Sequence, residues 1–239
     1  RAGRWWLNNC AYHRYVKSAE AELFNDPKLK KVICISKLVK ENILEFFPNI
    51  EQKLEVIYLG VDTDSFHPSV KNSRESTRQK LGISDSVCLF IFVGSGFERK
   101  GLATAIKALA ALPDHCQLLV VGRDKNMQRY LTLAKQLGVM NRVFFEGVVR
   151  DVKPYYGCSD ALILPTIYEP FSNVVMESLA CGLPVITSLN CGGSELIDHG
   201  INGYICHPFD QSDFTQAMEN LTTTNLDTFN KASRNIALQ

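Results

Sequence analysis

The chain has 239 residues, 46% of them apolar, and a formal net charge of +1. That length supports one large or two modest domains around a sizeable core. The near-neutral balance argues against a general electrostatic affinity for nucleic acid or anionic lipid. No apolar run approaches the roughly 18 residues of a membrane span. The eight cysteines form no C-x-x-C pair and read as free, buried thiols in a reducing compartment. A chain that begins at Arg1 rather than Met reads as a fragment, a processed chain or an excised domain.

In chain order, "RWWLNNCAYHRYVKSAEAELF" predicts a helix, "KKVICIS" a strand, "KLVKENILEFF" a helix and "KLEVIYL" a strand. Two strands and two helices do not complete a doubly wound domain. Residues 1–66 therefore read as the tail of one domain plus linker. Trp5 and Trp6 suit either a core helix or a membrane surface. The turn-rich "GVDTDSFHPSVKNSRES" reads as a polar linker. Its Asp62-x-Asp64 is taken as a turn rather than a metal site.

Residues 67–239 follow a different rule. Apolar, β-branched runs ("SVCLFIFVGS", "CQLLVVG", "RVFFEG", "ALILPT", "PVITS", "GYICHP") alternate with segments that read as helices ("LATAIKALAAL", "MQRYLTLAKQLG", "VKPYYGCS", "NVVMESLACG", "SELIDHG", "DQSDFTQAMENL"). Near-continuous apolar strands are buried on both faces. Alternation with helices then predicts an α/β fold with a doubly wound parallel sheet. Ligands of such sheets bind beyond the carboxyl ends of the strands. Those ends collect "VGSGFERKG", "VGRDKN", "EGVVRD" and "PTIYEPFSNVVME" around one expected crevice.

In the first loop, Gly94 and Gly96 let backbone approach a ligand, and Arg99 and Lys100 add positive charge. The loop is neither G-x-G-x-x-G nor a Walker motif. In the last, a helix is expected to start near Ser172 or Asn173, both good N-caps, with free amides able to bind an anion. Glu169 precedes that start and Glu177 lies about one turn inside it. Carboxylates accept bidentately from vicinal hydroxyls. The pattern suits a molecule with phosphates in the middle and hydroxyls at both ends, a nucleotide-sugar. Glu195 is expected to begin a short helix after Gly192-Gly193. The five histidines are dispersed and read as structural or surface groups.

"VICISKLVKENILEFF", "FVGSGFERKGLATAIKALAAL", "EPFSNVVMESLACGLPVITS" and "GGSELIDHGINGYICHPFD" together resemble the family-four glycosyltransferases of the two-domain GT-B fold. The wording "GSGFERKG" is most similar to the lipopolysaccharide-core glucosyltransferase branch. The resemblance implies that residues 67–239 form the Rossmann-like C-terminal, nucleotide-sugar-binding domain and residues 1–66 a remnant of the N-terminal, acceptor-side domain. It implies retaining, metal-independent transfer of a hexose from a nucleotide-sugar, with UDP the favoured carrier and no cofactor. The implied acceptor is a cell-surface glycan or lipopolysaccharide-type glycolipid. The implied location is cytoplasmic, peripheral at the inner membrane through the missing domain.

Carried over to this sequence, the resemblance gives Arg99 and Lys100 the diphosphate and leaving group, and Glu169 the donor sugar. It gives Glu177 the ribose. Gly94, Ser95 and Gly96 form the phosphate loop, and Phe171, Ser172, Asn173 and Val174 the helix start. Gly122, Arg123 and Val148 edge the base. Ser95 stands where many members carry Arg, and Arg99 where others often have Glu. The family places much of its acceptor site, with a catalytically important histidine, on the first domain. This chain alone is thus expected to bind donor weakly and to transfer little or no sugar. A UDP-sugar epimerase of the same architecture and a non-catalytic nucleotide-binding module remain open as rivals. A dinucleotide oxidoreductase is disfavoured because the loop lacks G-x-G-x-x-G.

Overall fold

A computed structural model describes residues 10–239. Trp5, Trp6 and the start of the expected first helix lie outside the described residues. The chain divides into two compact units between Tyr58 and Leu59.

In the second unit the apolar runs become β3 (Cys88–Val93), β4 (Cys116–Val121), β5 (Val143–Gly147), β6 (Ala161–Leu164), β7 (Val185–Ser188) and β8 (Gly203–Cys206). All pair in parallel, in the order β5-β4-β3-β6-β7-β8. Leu89, Phe90, Ile91 and Phe92 are all fully buried, so both faces of β3 are covered, as a parallel sheet requires. Each such side chain contributes about 1.5–3 kcal/mol relative to exposure. The chain steps outward from β3 to β5, then returns to place β6 on the other side of β3. The loops after β3 and β6 therefore diverge, and a crevice opens at their carboxyl ends.

The covering helices follow the expected segments: α4 (Leu102–Ala110), α5 (Met127–Gln136), α6 (Lys153–Cys158), α7 (Asn173–Ala180) and α8 (Gln211–Thr223). Two segments differ. The expected "SELIDHG" helix is a single 3-10 turn, Gly192–Leu196, with Glu195 inside it rather than at its start. Asn202 folds the chain back there: its side chain accepts from Asp198 N–H and donates to the Leu196 carbonyl, at 2.8 and 2.9 Å. A terminal helix, α9 (Leu226–Ala237), was not anticipated in so polar a stretch. It is capped by Asn225 and buries Phe229 and Ser233.

The polar linker is a correction too. Residues 68–81 form a 3-10 turn (Pro68–Ser73) and α3 (Arg74–Leu81) packed on the sheet domain. Polarity misled because the charges are spent internally. Arg78 is 1% exposed; it pairs with Asp160 and donates to the carbonyls of Cys158, Ser84, Asp85 and Val87. Arg74 holds the other Asp160 oxygen at 2.7 Å. Arg234 of α9 donates to the Thr63 and Phe66 carbonyls, which ties residues just after the division into the second unit.

The first unit contains α1 (Ala11–Asn25), β1 (Val32–Cys34), α2 (Lys37–Phe46) and β2 (Leu54–Val56). The two strands pair in parallel, Val32 opposite Leu54. Ser36 caps α2 by accepting from Val39 N–H at 3.1 Å. Its core is small: Cys34, Ile50 and Leu54 are buried, with Phe24, Ile43 and Phe47 packed around them.

All eight cysteines are free and six are buried, in line with the sequence reading. Among the described residues no helix is long and apolar enough to cross a membrane.

Candidate functional site

The basic loop between β3 and α4 is held from three sides. Phe97 is fully buried and meets Phe92 and Tyr130 edge-to-face, at 5.7 and 5.4 Å between centroids, so its apolar ring anchors the loop. Its N–H donates to Asp124 Oδ2 at 3.0 Å, which ties the loop to the one after β4. Two glycines permit close approach. A Cβ on Gly122 (φ +132°) would lie 1.9 Å from the Gly94 carbonyl oxygen, and one on Gly101 (φ +78°) 1.9 Å from that of Pro165. The Arg99 carbonyl accepts from Ile167 N–H at 2.8 Å and from Thr166 Oγ1 at 3.0 Å. The loops after β3 and β6 are thereby joined.

That junction brings Arg99 and Lys100 onto Glu169. Glu169 Oε2 accepts from Lys100 Nζ at 2.9 Å and from Arg99 Nη1 at 2.8 Å, and Arg99 also donates to the Tyr168 carbonyl. The Lys100 and Glu169 side chains are each 13% exposed, that of Arg99 49%. The lysine pair is thus the better shielded and the stronger of the two. The lysine stem packs beneath Gly94, where a Cβ would sit 2.8 Å from its Cδ and Cε. Glu169 is fixed through its backbone, N–H to Asn190 O at 3.0 Å and C=O from Gly192 N–H at 2.9 Å.

Helix α7 starts at Asn173, as expected, with Ser172 in the N-cap position. The expected cap is not formed. The Ser172 hydroxyl makes no capping bond and is buried without a partner, while its carbonyl accepts from Val175 N–H at 3.1 Å. The first amides of a helix have no intrahelical acceptor, so this end keeps its anion-binding character. Phe171 is buried, Val174 half-buried and Asn173 exposed.

Glu177 has a different setting. Tyr156 Oη, from α6, donates to its Oε2 at 2.8 Å. Burial pushes the Glu177 carboxyl above the usual range, and the phenol partly offsets this. Burial first, then the adjacent carboxylate, pushes the Tyr156 phenol well above its ordinary value, so it stays a donor.

The remaining expected residues are more peripheral. Ser95, Gly96 and Arg123 are exposed, the first two at the loop tip. Val148 is 77% exposed after β5 and borders a cavity of about 430 Å³ with Glu146, Arg150 and Tyr155. Asp62 accepts from the Asp64 and Ser65 amides and the Ser65 hydroxyl, a closed turn as read. Three site residues were missed: Phe97, Asp124 and Tyr156. Only Tyr156 left a signal, since a tyrosine inside an apolar helix has to bring its hydroxyl to an acceptor.

The family described as glycosyl transferases group 1 matches residues 73–237, more than half of the chain. The chain belongs to the group 1 glycosyltransferases. Among curated relatives of this glycosyltransferase chain, the lipopolysaccharide glucosyltransferase WaaG of Escherichia coli (strain K12) is 30% identical over 217 residues. That alignment covers 88% of this chain and 58% of WaaG. A crystal structure of WaaG, described as a glycosyltransferase involved in lipopolysaccharide biosynthesis, superposes with a TM-score of 0.85 at 29% identity. It covers 96% of this chain and 64% of that one. The structure of Anabaena Alr3699/HepE in complex with UDP-glucose matches at 0.77 and 26% identity, covering 87% and 58%. The doubly wound unit of this glycosyltransferase is therefore a GT-B C-terminal domain. The chain spans about half the length of the curated relatives it matches.

Proposed function

We propose that this chain supplies the donor site of a retaining hexosyltransferase that takes a UDP-sugar. The observation that carries the reading is the convergence of Arg99 and Lys100 on Glu169 beside the start of α7. The bond to be broken joins the anomeric carbon to a β-phosphate oxygen, and its electron pair leaves with the phosphate. Arg99 and Lys100, with the amides near Asn173 and Val174, meet that growing charge. Phosphate oxygens entering the loop compete with the Glu169 carboxylate for the same two cations. Once displaced, that carboxylate is free to accept hydroxyls of the sugar, and Glu177 those of the ribose. Gly122, Arg123 and Val148 border the base.

The name of WaaG and the nucleotide bound to HepE support UDP-glucose as donor and a lipopolysaccharide-type glycan as acceptor. The donor is a substrate, and the proposal invokes no cofactor. Thermal unfolding tests it: UDP at a hundred times its dissociation constant should stabilise the chain by about 2.7 kcal/mol. No shift with UDP at millimolar concentration would defeat the reading. Any glycoside formed with an acceptor present, however little, should keep the donor's anomeric configuration by NMR.

A further inference from the structure

Glu177, unlike Glu169, is met by a neutral donor. Its Oε2 accepts from Tyr156 Oη at 2.8 Å. Its Oε1 accepts from no described residue, yet it is absent from the buried side-chain atoms left unpartnered, which are Gln117 Oε1, Ser172 Oγ and Ser178 Oγ. One oxygen is therefore engaged by protein and the other is open.

Tyr156 is built to hold this arrangement. The side chain is fully buried, and its ring stands edge-to-face against Phe66 at 6.2 Å. Its N–H is fixed to the Val152 carbonyl at 3.2 Å. The hydroxyl has one direction to point and one acceptor to meet. Cys181, just past the C-terminal end of α7, is a second titratable group beside Glu177. Burial first, then that carboxylate, pushes its thiol up to about 12, so it remains neutral. Glu169 carries two cations on its Oε2, so a ligand that uses it meets a carboxylate whose charge is already neutralised; Glu177 carries no cation on either oxygen among the described residues. A carboxylate held by a phenol on a single oxygen presents the other without rearrangement.

We propose that Tyr156 is a positioning residue for ribose recognition, its hydroxyl aiming Glu177 so that the free oxygen meets the ribose hydroxyls of the donor. The inference rests on the donor-site reading above, in which Glu177 takes the ribose.

The test measures binding of UDP and of 2′,3′-dideoxy-UDP to the chain by calorimetry. The wild type should prefer UDP by roughly tenfold or more, as expected for charge-assisted hydrogen bonds. Tyr156→Phe keeps the ring and deletes only the hydroxyl. It should reduce that preference to about threefold or less while the dideoxy affinity stays within about twofold. In a Glu177→Gln background the same change should alter the ratio no further. Equal weakening of both nucleotides would assign Tyr156 to packing alone and overturn the proposal, as would an unchanged ratio. A wild type indifferent to the ribose hydroxyls would instead defeat the role of Glu177, and the positioning role with it. A UDP-soaked crystal of the wild type answers without any variant. Glu177 should stay on Tyr156 through Oε2 and reach the ribose through Oε1; a carboxylate that abandons Tyr156 to reach the ribose overturns the inference.

Discussion

Glu169 and Glu177 stand eight positions apart on either side of the α7 start, and the fold treats them in opposite ways. Glu169 is met by two cations delivered from the β3 loop, so its charge is neutralised in place. Glu177 is withdrawn from water and met by a phenol, and its carboxyl is raised as a result. The first contact is an exchange: an incoming anion takes the cations and releases the carboxylate. The second is a preset, held by a neutral donor with no cation among the described residues to displace. Two carboxylates alike in sequence thus acquire different tasks from their partners.

The largest effect should come from breaking the frame that makes the first contact possible. Gly101→Ala places a methyl 1.9 Å from the Pro165 carbonyl oxygen at a positive φ. It should cost on the order of 3 kcal/mol. Thermal unfolding should read this as a fall of roughly 6–12 °C. A melting point near wild type would show that the loops after β3 and β6 can separate. Next, Lys100→Ala removes the shielded cation and should weaken UDP about ten- to a hundredfold by calorimetry. A smaller loss than that from Arg99→Ala would reverse the ranking of the two pairs.

Glu169→Gln sharpens the contrast. It frees both cations, so UDP should bind roughly three- to tenfold more tightly. UDP-glucose should gain less, because the sugar loses an acceptor. Weaker UDP binding would contradict the exchange. The smallest effect concerns pH. Glu177 accepts from ribose most strongly when ionised, and burial raises its carboxyl. UDP-glucose binding should therefore be complete above that raised value and decline as pH falls through it, earlier than an ordinary carboxylate would dictate. Glu177→Gln should flatten this part of the profile.

Much of the scaffold was legible because it follows from local pattern. The run "CLFIFV" is apolar at every position and "CQLLVV" at all but Gln117, and only burial on both faces of a parallel sheet accommodates that. The start of α7 near Asn173 and the turn at Asp62 were equally local. Readings failed where polar residues found distant partners. Richness in turn residues made 60–76 look like a polar linker, yet Arg74 within it and Arg78 just beyond it are received by Asp160, more than 80 positions away. Ser172 looked like a cap, and its hydroxyl caps nothing.

By itself the amino-acid order determined the alternation of strands and helices, the crevice at the strand ends and the residue types gathered there. Periodicity and turn chemistry act over a few residues and are written directly in the chain. Only the tertiary structure decided who meets whom: Lys100 with Glu169 and Tyr156 with Glu177. Those pairings depend on how closely separate loops and helices pack, on glycines that let one backbone press against another and on rings that leave a hydroxyl one direction. Spacing along the chain carries no measure of such distances.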